Sequence, residues 1–241
     1  MAQSDTLPGR VYNLDNLKIE KDSSRNRIQF LEGSTRDLSV LEIHLTILEP
    51  GKAAHPPHTH TDTEELLIVK EGKVQVTVGG KTKLLEAGGV MLALPGDEHG
   101  AVNVGDKKAA YYILKYTAKQ TMNADRGSKA GGSILTTWKE VPEQKTEKGY
   151  RKQFFNRSTA LFEKFEMHTT ALNKGEISHA PHTHRAEEII VIIRGNVEMQ
   201  IRDKFYKAGP GDLVFLSSEV PHALKNTGSE QCEYFAFQWR N

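Results

Sequence analysis

The chain has 241 residues, a length that fits one large domain or two small ones of about 100–150 residues each. Lys and Arg number 32 and Asp and Glu 31, so the near-zero net charge argues against nucleic acid or an anionic membrane as a partner. No apolar run approaches the roughly 18 residues of a membrane helix. The single cysteine, Cys232, excludes an internal disulfide framework and a cysteine-rich zinc site.

The first predicted strand with titratable groups runs through Leu41–Leu48. Glu42 and His44 share one face of this strand because side chains alternate, and the opposite face is apolar. If the polar face is turned inward, Glu42 and His44 form an acid–base pair in a cavity. If it is turned outward, they are solvated, and the sequence leaves both possibilities open.

The next segment brings potential metal ligands together. In an extended chain, residues two apart point the same way, so His58 and His60 present two imidazoles to one side. Glu65 begins the apolar run 65–69, which is typical of a strand buried on both faces, and its carboxylate can turn toward the same point. A further imidazole, His99, completes a set of three nitrogens and one oxygen. Such a set suits manganese, iron, cobalt, nickel or zinc.

Between Glu65 and His99 the sequence predicts a β-hairpin. Apolar residues alternate over 73–78, Gly79 and Gly80 supply the turn, and the pattern resumes over 81–85. No long amphipathic helix is found anywhere in the chain. Many short strands separated by turns predict an all-β sandwich or barrel.

The second half of the chain repeats the first. The ten histidines form two series with one spacing, in which counterparts lie 124 residues apart, or 123 for the last pair. The first series is His44, His55, His58, His60 and His99, and the second is His168, His179, His182, His184 and His222. This regularity predicts an internal duplication, with copies at 10–120 and 134–241 joined by a linker at 121–133.

The repeat carries a second set of potential ligands and a second hairpin. The corresponding donors are His182, His184, Glu188 and His222. The corresponding hairpin runs over 196–201 and turns at 202–204. We therefore expect one divalent transition metal in each copy, with manganese or iron preferred and zinc, nickel or cobalt as alternatives.

Several repeated residues near these ligand sets each allow two interpretations. Glu64 and Glu187 precede the chosen carboxylates and should face the other way, on a solvated outer surface or in an ion pair. His55 and His179 lie three residues before a ligand, where they would serve as a supporting lip residue or as a fifth ligand. Arg27 and its counterpart Arg151 would lie on the surface or hold a substrate carboxylate.

At these motifs the sequence resembles the cupin superfamily over nearly its whole length. Each copy matches the paired segments Gly-x5-His-x-His-x3/4-Glu-x6-Gly and Gly-x5-Pro-x-Gly-x2-His-x3-Asn. The resemblance implies a bicupin, with two tandem jelly-roll barrels (double-stranded β-helices) and one metal in each. Departures affect only the turns. Both first glycines lie one residue further from the histidines, the Pro95–His99 spacing is one residue short, and Ser217 replaces a proline.

The resemblance implies a metal-dependent enzyme of dioxygenase, decarboxylase or isomerase type, acting on a small polar or carboxylate-bearing molecule. The alternative is a non-catalytic cupin that binds a metal or a small ligand such as a sugar. We expect a small-molecule substrate, no nucleic acid, no membrane and a plausible homodimer. No signal peptide is recognised, so a complete chain would be cytoplasmic. The start Met1-Ala2-Gln3-Ser4 also fits a bacterial periplasmic protein whose leader was trimmed.

Loop charges predict that the two metal sites differ. Asp62, Asp97 and Glu98 lie beside the first set of ligands, whereas Arg185 lies beside the second. By sign alone, the second site should hold anions better and the first should repel them.

Overall fold

The computed structural model describes residues 6–22 and 25–241, and almost all of the regular structure is β. The first ten strands are β1 (Arg10–Tyr12), β2 (Ile19–Lys21), β3 (Asn26–Gly33), β4 (Leu38–Leu48), β5 (Thr63–Glu71), β6 (Val74–Val78), β7 (Lys81–Leu85), β8 (Val90–Ala93), β9 (His99–Asn103) and β10 (Ala109–Ala118). The second ten are β11 (Ile134–Thr136), β12 (Glu143–Thr146), β13 (Gly149–Arg157), β14 (Lys164–Leu172), β15 (Glu187–Arg194), β16 (Val197–Ile201), β17 (Lys204–Ala208), β18 (Leu213–Leu216), β19 (His222–Asn226) and β20 (Cys232–Arg240). The helical segments are α1 (Ala124–Lys129) and the 3₁₀ turns Leu14–Asn16 and Trp138–Glu140.

The strands form two compact units with one topology. The N-terminal unit comprises Leu17–Val141 and Ser158–Phe162; the C-terminal unit comprises Pro142–Arg157, Glu163–Asn241 and the chain up to Asn16. The large sheets have the orders β11-β8-β5-β10-β4-β3-β2 and β1-β18-β15-β20-β14-β13-β12, and the small sheets have the orders β7-β6-β9 and β17-β16-β19. The prediction of an all-β protein with tandem barrels is confirmed.

The first strand of each copy belongs to the unit built mainly from the other copy. Strand β1 pairs with β18, and β11 pairs with β8. In the N-terminal unit, Gly88 has a positive φ of 80°, and a Cβ there would lie 2.3 Å from the Trp138 ring that follows β11. The boundaries 10–120, 121–133 and 134–241 describe the repeated sequence and remain a prediction. The compact units differ from these copies because each unit contains the first strand of the other copy.

The predicted hairpins are present in both units. Strands β6 and β7 pair from Val74↔Leu85 to Val78↔Lys81, and both turn glycines have positive φ, as a tight two-residue hairpin requires. The counterpart, β16 with β17, turns at Arg202 and Asp203, and Arg202 adopts a φ of 58° without being glycine.

The central strand of each large sheet determines what faces the interior near the predicted ligands. In β10, Lys115 is paired with Glu42 of β4 on one side and with Glu65 of β5 on the other. In β20, Gln238 occupies the equivalent place between Glu166 and Glu188. The duplicated register therefore places a lysine in one interior and a glutamine in the other.

The outward neighbours of the ligand carboxylates are not solvated, so the expectation of a solvated outer surface is wrong. Glu64 and Glu187 are both 0% exposed. Glu64 accepts a hydrogen bond of 2.9 Å from the backbone N–H of Leu161, and Glu187 accepts one of 3.2 Å from Nε1–H of Trp239. They face away from the ligands, as alternation requires, but they are buried within the protein rather than exposed to water.

Within residues 6–22 and 25–241, no helix has the length and apolar character needed to span a membrane.

Candidate metal centres

In the N-terminal unit, all four predicted ligands meet. Their ligand atoms lie within 4.8 Å of one another. The Nε2 atoms of His58 and His60 are 3.2 Å apart, His60 Nε2 is 3.3 Å from a Glu65 oxygen, and His99 Nε2 is 3.6 Å from the other. Donors bound about 2.1 Å from one ion lie roughly 3.0–3.4 Å apart, so these separations already suit a shared metal.

Two strands and the extended segment before β5 bring the four residues together. His58 and His60 lie in the extended segment before β5, Glu65 in β5, and His99 at the start of β9. An isolated bridge holds the segment to β9, with backbone hydrogen bonds of 3.0 and 2.9 Å between His58 and His99. The spacing of two residues then turns both imidazoles inward.

Unsatisfied ring nitrogens support the metal interpretation. His99 Nδ1 is 3.0 Å from the Asp97 carbonyl oxygen, so it donates its proton there and leaves Nε2 with a lone pair. That Nε2 is buried and has no hydrogen-bond partner among the described residues, and the same holds for His222 Nε2. Buried polar atoms are rarely left unpaired, and a ligating histidine usually donates its other N–H to such an oxygen. The residues therefore fit a divalent metal.

Electrostatics keep the N-terminal donors in the state that a metal needs. Burial, with the neighbouring His99 and His55, lowers the pKa of His58 to about 4. Burial by itself raises the pKa of Glu65, but the contacts of His60 and His99 outweigh it and hold that pKa well below its usual range. At neutral pH His58 is neutral and Glu65 is ionised, as ligands must be.

In the C-terminal unit, the predicted ligands form two overlapping groups. His184, Glu188 and His222 form one, and His179, His182 and His222 form the other. The Nε2 atoms of His184 and His222 each lie 3.3 Å from the same Glu188 oxygen. Burial raises the pKa of Glu188, yet the contacts of His184 and His222 prevail and lower it overall. The sequence predicted that His182 would join His184, Glu188 and His222. In the structure His182 is grouped with His179 and His222 instead.

The N-terminal ligands lie on the wall of a cavity of about 450 Å³. The wall also carries the first predicted acid–base pair, Glu42 and His44, so this pair faces inward. His44 Nδ1 is 2.9 Å from Glu42 Oε1, and Arg27 makes a short contact with the same oxygen. The hydrogen bond of His44, with the charges of Lys115 and Arg27, lowers the pKa of Glu42 to about 2 although burial opposes this.

Three of the predicted C-terminal ligands, His182, Glu188 and His222, line a smaller cavity of about 210 Å³. His168 lines it, but its Nδ1 lies 3.4 Å from Glu166, beyond the 2.9 Å of the first pair. Leu224 occupies the place that Ala101 has in the other cavity, and its larger side chain takes up part of the space.

A comparison with protein families now identifies the fold. Residues 44–115 and 168–237 both match the cupin domain family. The chain belongs to the cupin family. Because both halves match, it is a bicupin, and the predicted resemblance is confirmed. No curated protein matches this bicupin significantly over its sequence.

Solved structures share the fold of this bicupin at low sequence identity. A putative glyoxylate-induced protein from Pseudomonas aeruginosa has a TM-score of 0.77 and 14% identity, over 98% of this chain and 89% of that one. AerE from Microcystis aeruginosa has a TM-score of 0.72 and 15% identity, over 96% and 99%. An oxalate decarboxylase from Lactobacillus farciminis, in complex with formate, has a TM-score of 0.71 and 12% identity, over 98% and 87%. These likenesses show the fold.

Two cationic residues of the N-terminal cavity were missed by sequence reasoning. Arg25 and Lys115 line it together with Arg27, for which the sequence left open the surface and a substrate-binding position. Lys115 Nζ lies 4.0 Å from Glu65. A signal was available, since alternation along β10 places Lys115 on the same face as Tyr111 and Ile113, both of which line this cavity.

The prediction from loop charges is wrong in its premise. None of Asp62, Asp97 and Glu98 lines the N-terminal cavity, and Arg185 does not line the C-terminal one. Asp97 instead accepts a hydrogen bond of 2.5 Å from the Ser133 hydroxyl. The positive charge on the N-terminal cavity wall comes instead from Arg25, Arg27 and Lys115, which are distant in sequence from the nearest ligands.

Proposed function

We propose that this bicupin is a metal-dependent enzyme that acts on a small, carboxylate-bearing molecule in the cavity of its N-terminal unit. One observation carries the proposal. A donor set that fits a divalent metal and three cationic side chains, Arg25, Arg27 and Lys115, line one cavity of about 450 Å³. That volume suits a small ligand.

The cations exceed the carboxylates on the cavity wall. Glu42 and Glu65 offset two of the three positive charges. Arg27 is held by Glu42, whereas Arg25 forms an ion pair of 3.5 Å with the exposed Asp22, a surface pair that contributes little. Arg25 and Lys115 are therefore placed to bind an anionic group, and a planar guanidinium matches a carboxylate in a bidentate manner.

His44 is placed to move a proton. Its Nδ1–H donates to Glu42, so the lone pair of Nε2 is available in the cavity, and Arg27 fixes the carboxylate that orients the ring. A base oriented by a partly buried carboxylate suits general acid–base catalysis. Leu67, Met91 and Ile113 supply apolar wall that excludes water from part of the cavity.

His58, His60, Glu65 and His99 would hold the metal, with manganese or iron preferred for three imidazoles and one carboxylate. When bound, such an ion supplies Lewis acidity toward a substrate oxygen. Decarboxylation, dioxygenation and isomerisation all fit this combination. One relative in fold is named oxalate decarboxylase, which favours carboxylate chemistry among the three.

The C-terminal cavity favours a second, non-catalytic role. It is less than half as large, it has Gln238 in the place of Lys115, and its Glu–His pair is 3.4 Å apart. We propose that this half binds its metal mainly for structure or holds a small ligand without converting it.

The test begins with elemental analysis of protein purified without a metal-affinity step. Manganese-loaded His184→Ala and His60→Ala variants, each retaining one site, are then titrated with oxalate by calorimetry. We expect oxalate to bind the His184→Ala protein, in which the N-terminal site is intact, and not the His60→Ala protein. Oxygen uptake and carbon dioxide release are next screened with small carboxylates. Binding in neither variant, or equal binding in both, would contradict the proposal.

A further inference from the structure

The C-terminal unit brings one imidazole more to its donors than the N-terminal unit does. His179 joins His182 and His222 with all three ligand atoms within 4.8 Å. His222 also belongs to the group with His184 and Glu188. Five potential donors thus lie around His222, in two groups that share it, whereas the described residues of the N-terminal unit form a single group of four.

The orientation of His179 suits a ligand. Its ring centroid lies 3.9 Å from that of His182 and 5.9 Å from that of His222. Its Nδ1 is 3.1 Å from the carbonyl oxygen of Ala180. The Nδ1 proton is therefore satisfied by the residue's own loop, and Nε2 keeps a lone pair, as a ligating histidine requires. The side chain lines the C-terminal cavity.

The matched residue of the other copy, His55, stays outside the N-terminal group. Its Nδ1 makes the same 3.1 Å contact with the following carbonyl, yet its ring lies 4.3 Å from that of His58, and its ligand atoms do not join the other four residues. The two loops differ in sequence at this point. Pro56 follows His55, and a residue before proline is restricted in its backbone angles. Ala180 follows His179 and removes that restriction.

We propose that His179 is an additional metal ligand in the C-terminal unit, which then offers five protein donors to its ion where the N-terminal unit offers four. This inference rests on the proposal that each half binds a metal, and it deepens the division of roles between the halves. An ion with about six positions would keep one open in the C-terminal unit and two in the N-terminal unit. A bidentate carboxylate then has room to chelate only in the N-terminal unit.

The experiment measures cobalt(II) binding in proteins that keep one site. In the His60→Ala background only the C-terminal site remains, and adding His179→Ala should weaken cobalt binding roughly tenfold or more, at least the loss seen when a supporting residue of a metal ligand is removed. The visible absorption of cobalt should change in shape and intensity, because these report the number of ligands. His179→Gln serves as a second variant, and because residue 179 is exposed, neither substitution should alter the unfolding of the metal-free protein.

The matched control is His55→Ala in the His184→Ala background, where only the N-terminal site remains. We expect less than about a twofold change in cobalt affinity and an unchanged cobalt spectrum. If the His60→Ala protein binds cobalt but His179→Ala changes neither affinity nor spectrum, the inference is overturned while the proposed function stands. If that protein binds no cobalt at all, the inference and the C-terminal metal are both wrong.

Discussion

The two cavities of this bicupin share their donors and differ in their walls. Each copy supplies three predicted imidazole ligands and a glutamate at matched sequence positions. Their volumes are about 450 and 210 Å³, and the lysine of one corresponds to Gln238 in the other. A donor set needs only a few side chains at fixed spacings, so both copies retain it. The walls, built from many strands, have diverged in charge and size, and walls decide which ligand enters.

The largest expected effect tests whether the two donor sets work independently. His60→Ala and His184→Ala should each remove one equivalent of metal and leave the other half loaded, because each substitution deletes a ligand from one set only. We expect the lost site to weaken by about a hundredfold or more. Elemental analysis after manganese loading and buffer exchange measures this. Thr59→Ala and Thr183→Ala, exposed positions beside the ligands, are controls that should retain both metals. Loss of both equivalents in one variant would show that the sites are coupled.

The next largest effect tests the difference in volume between the two cavities. Leu224→Ala should lower the free energy of unfolding by about 2–5 kcal/mol, because this leucine is buried and its removal leaves a cavity. The reverse change, Ala101→Leu, places its side chain in existing space and should cost well below the roughly 1–3 kcal/mol of an overpacked core. Urea unfolding of the metal-free proteins measures both changes. Equal destabilisation by the two would mean that the cavities do not differ in available space.

A smaller effect sharpens the difference in charge. Lys115→Gln gives the N-terminal cavity the residue of its counterpart and should weaken oxalate binding by roughly five- to tenfold, since a unit charge about 4 Å away contributes about 1 kcal/mol in a water-like surrounding. Calorimetry with the manganese-loaded protein tests this. Lys108→Gln removes the same charge at an exposed position and should change nothing. If both variants bind oxalate like the parent protein, the cavity charge does not select anions.

The smallest expected effect concerns how the Glu–His pair of each half contributes to stability as the pH falls. The contacts of His44 and His168 lower the pKa values of Glu42 and Glu166 to about 2 in both copies. A carboxyl with a lowered pKa in the folded state stabilises it above its ordinary value near 4.5, and this contribution is lost as the pH falls toward 2. Glu42→Gln and Glu166→Gln should therefore each reduce stability at pH 7 by about 1 kcal/mol, and much less at pH 2. Thermal unfolding across this range measures both. A clear effect in only one half would show that the pairs have diverged as the walls have.

The sequence alone determined the fold class and the duplication, and it predicted the candidate donor residues. Alternation with period two predicted strands, and the spacing of the histidines predicted which imidazoles face one point, because both depend on local geometry along an extended chain. The hairpins at Gly79 and Arg202 followed from the same local patterns.

The tertiary structure decided everything that depends on pairing between distant strands. Lys115 reaches Glu65 because β10 lies between β4 and β5, and no local pattern gives that register. Glu64 and Glu187 are buried and accept hydrogen bonds from Leu161 and Trp239, which lie 97 and 52 residues away in sequence. The charge and size of each cavity come from side chains up to about a hundred residues apart in sequence. Candidate ligands that are close in sequence can therefore be predicted from their spacing. The walls that surround them form only when strands distant in sequence pair with one another.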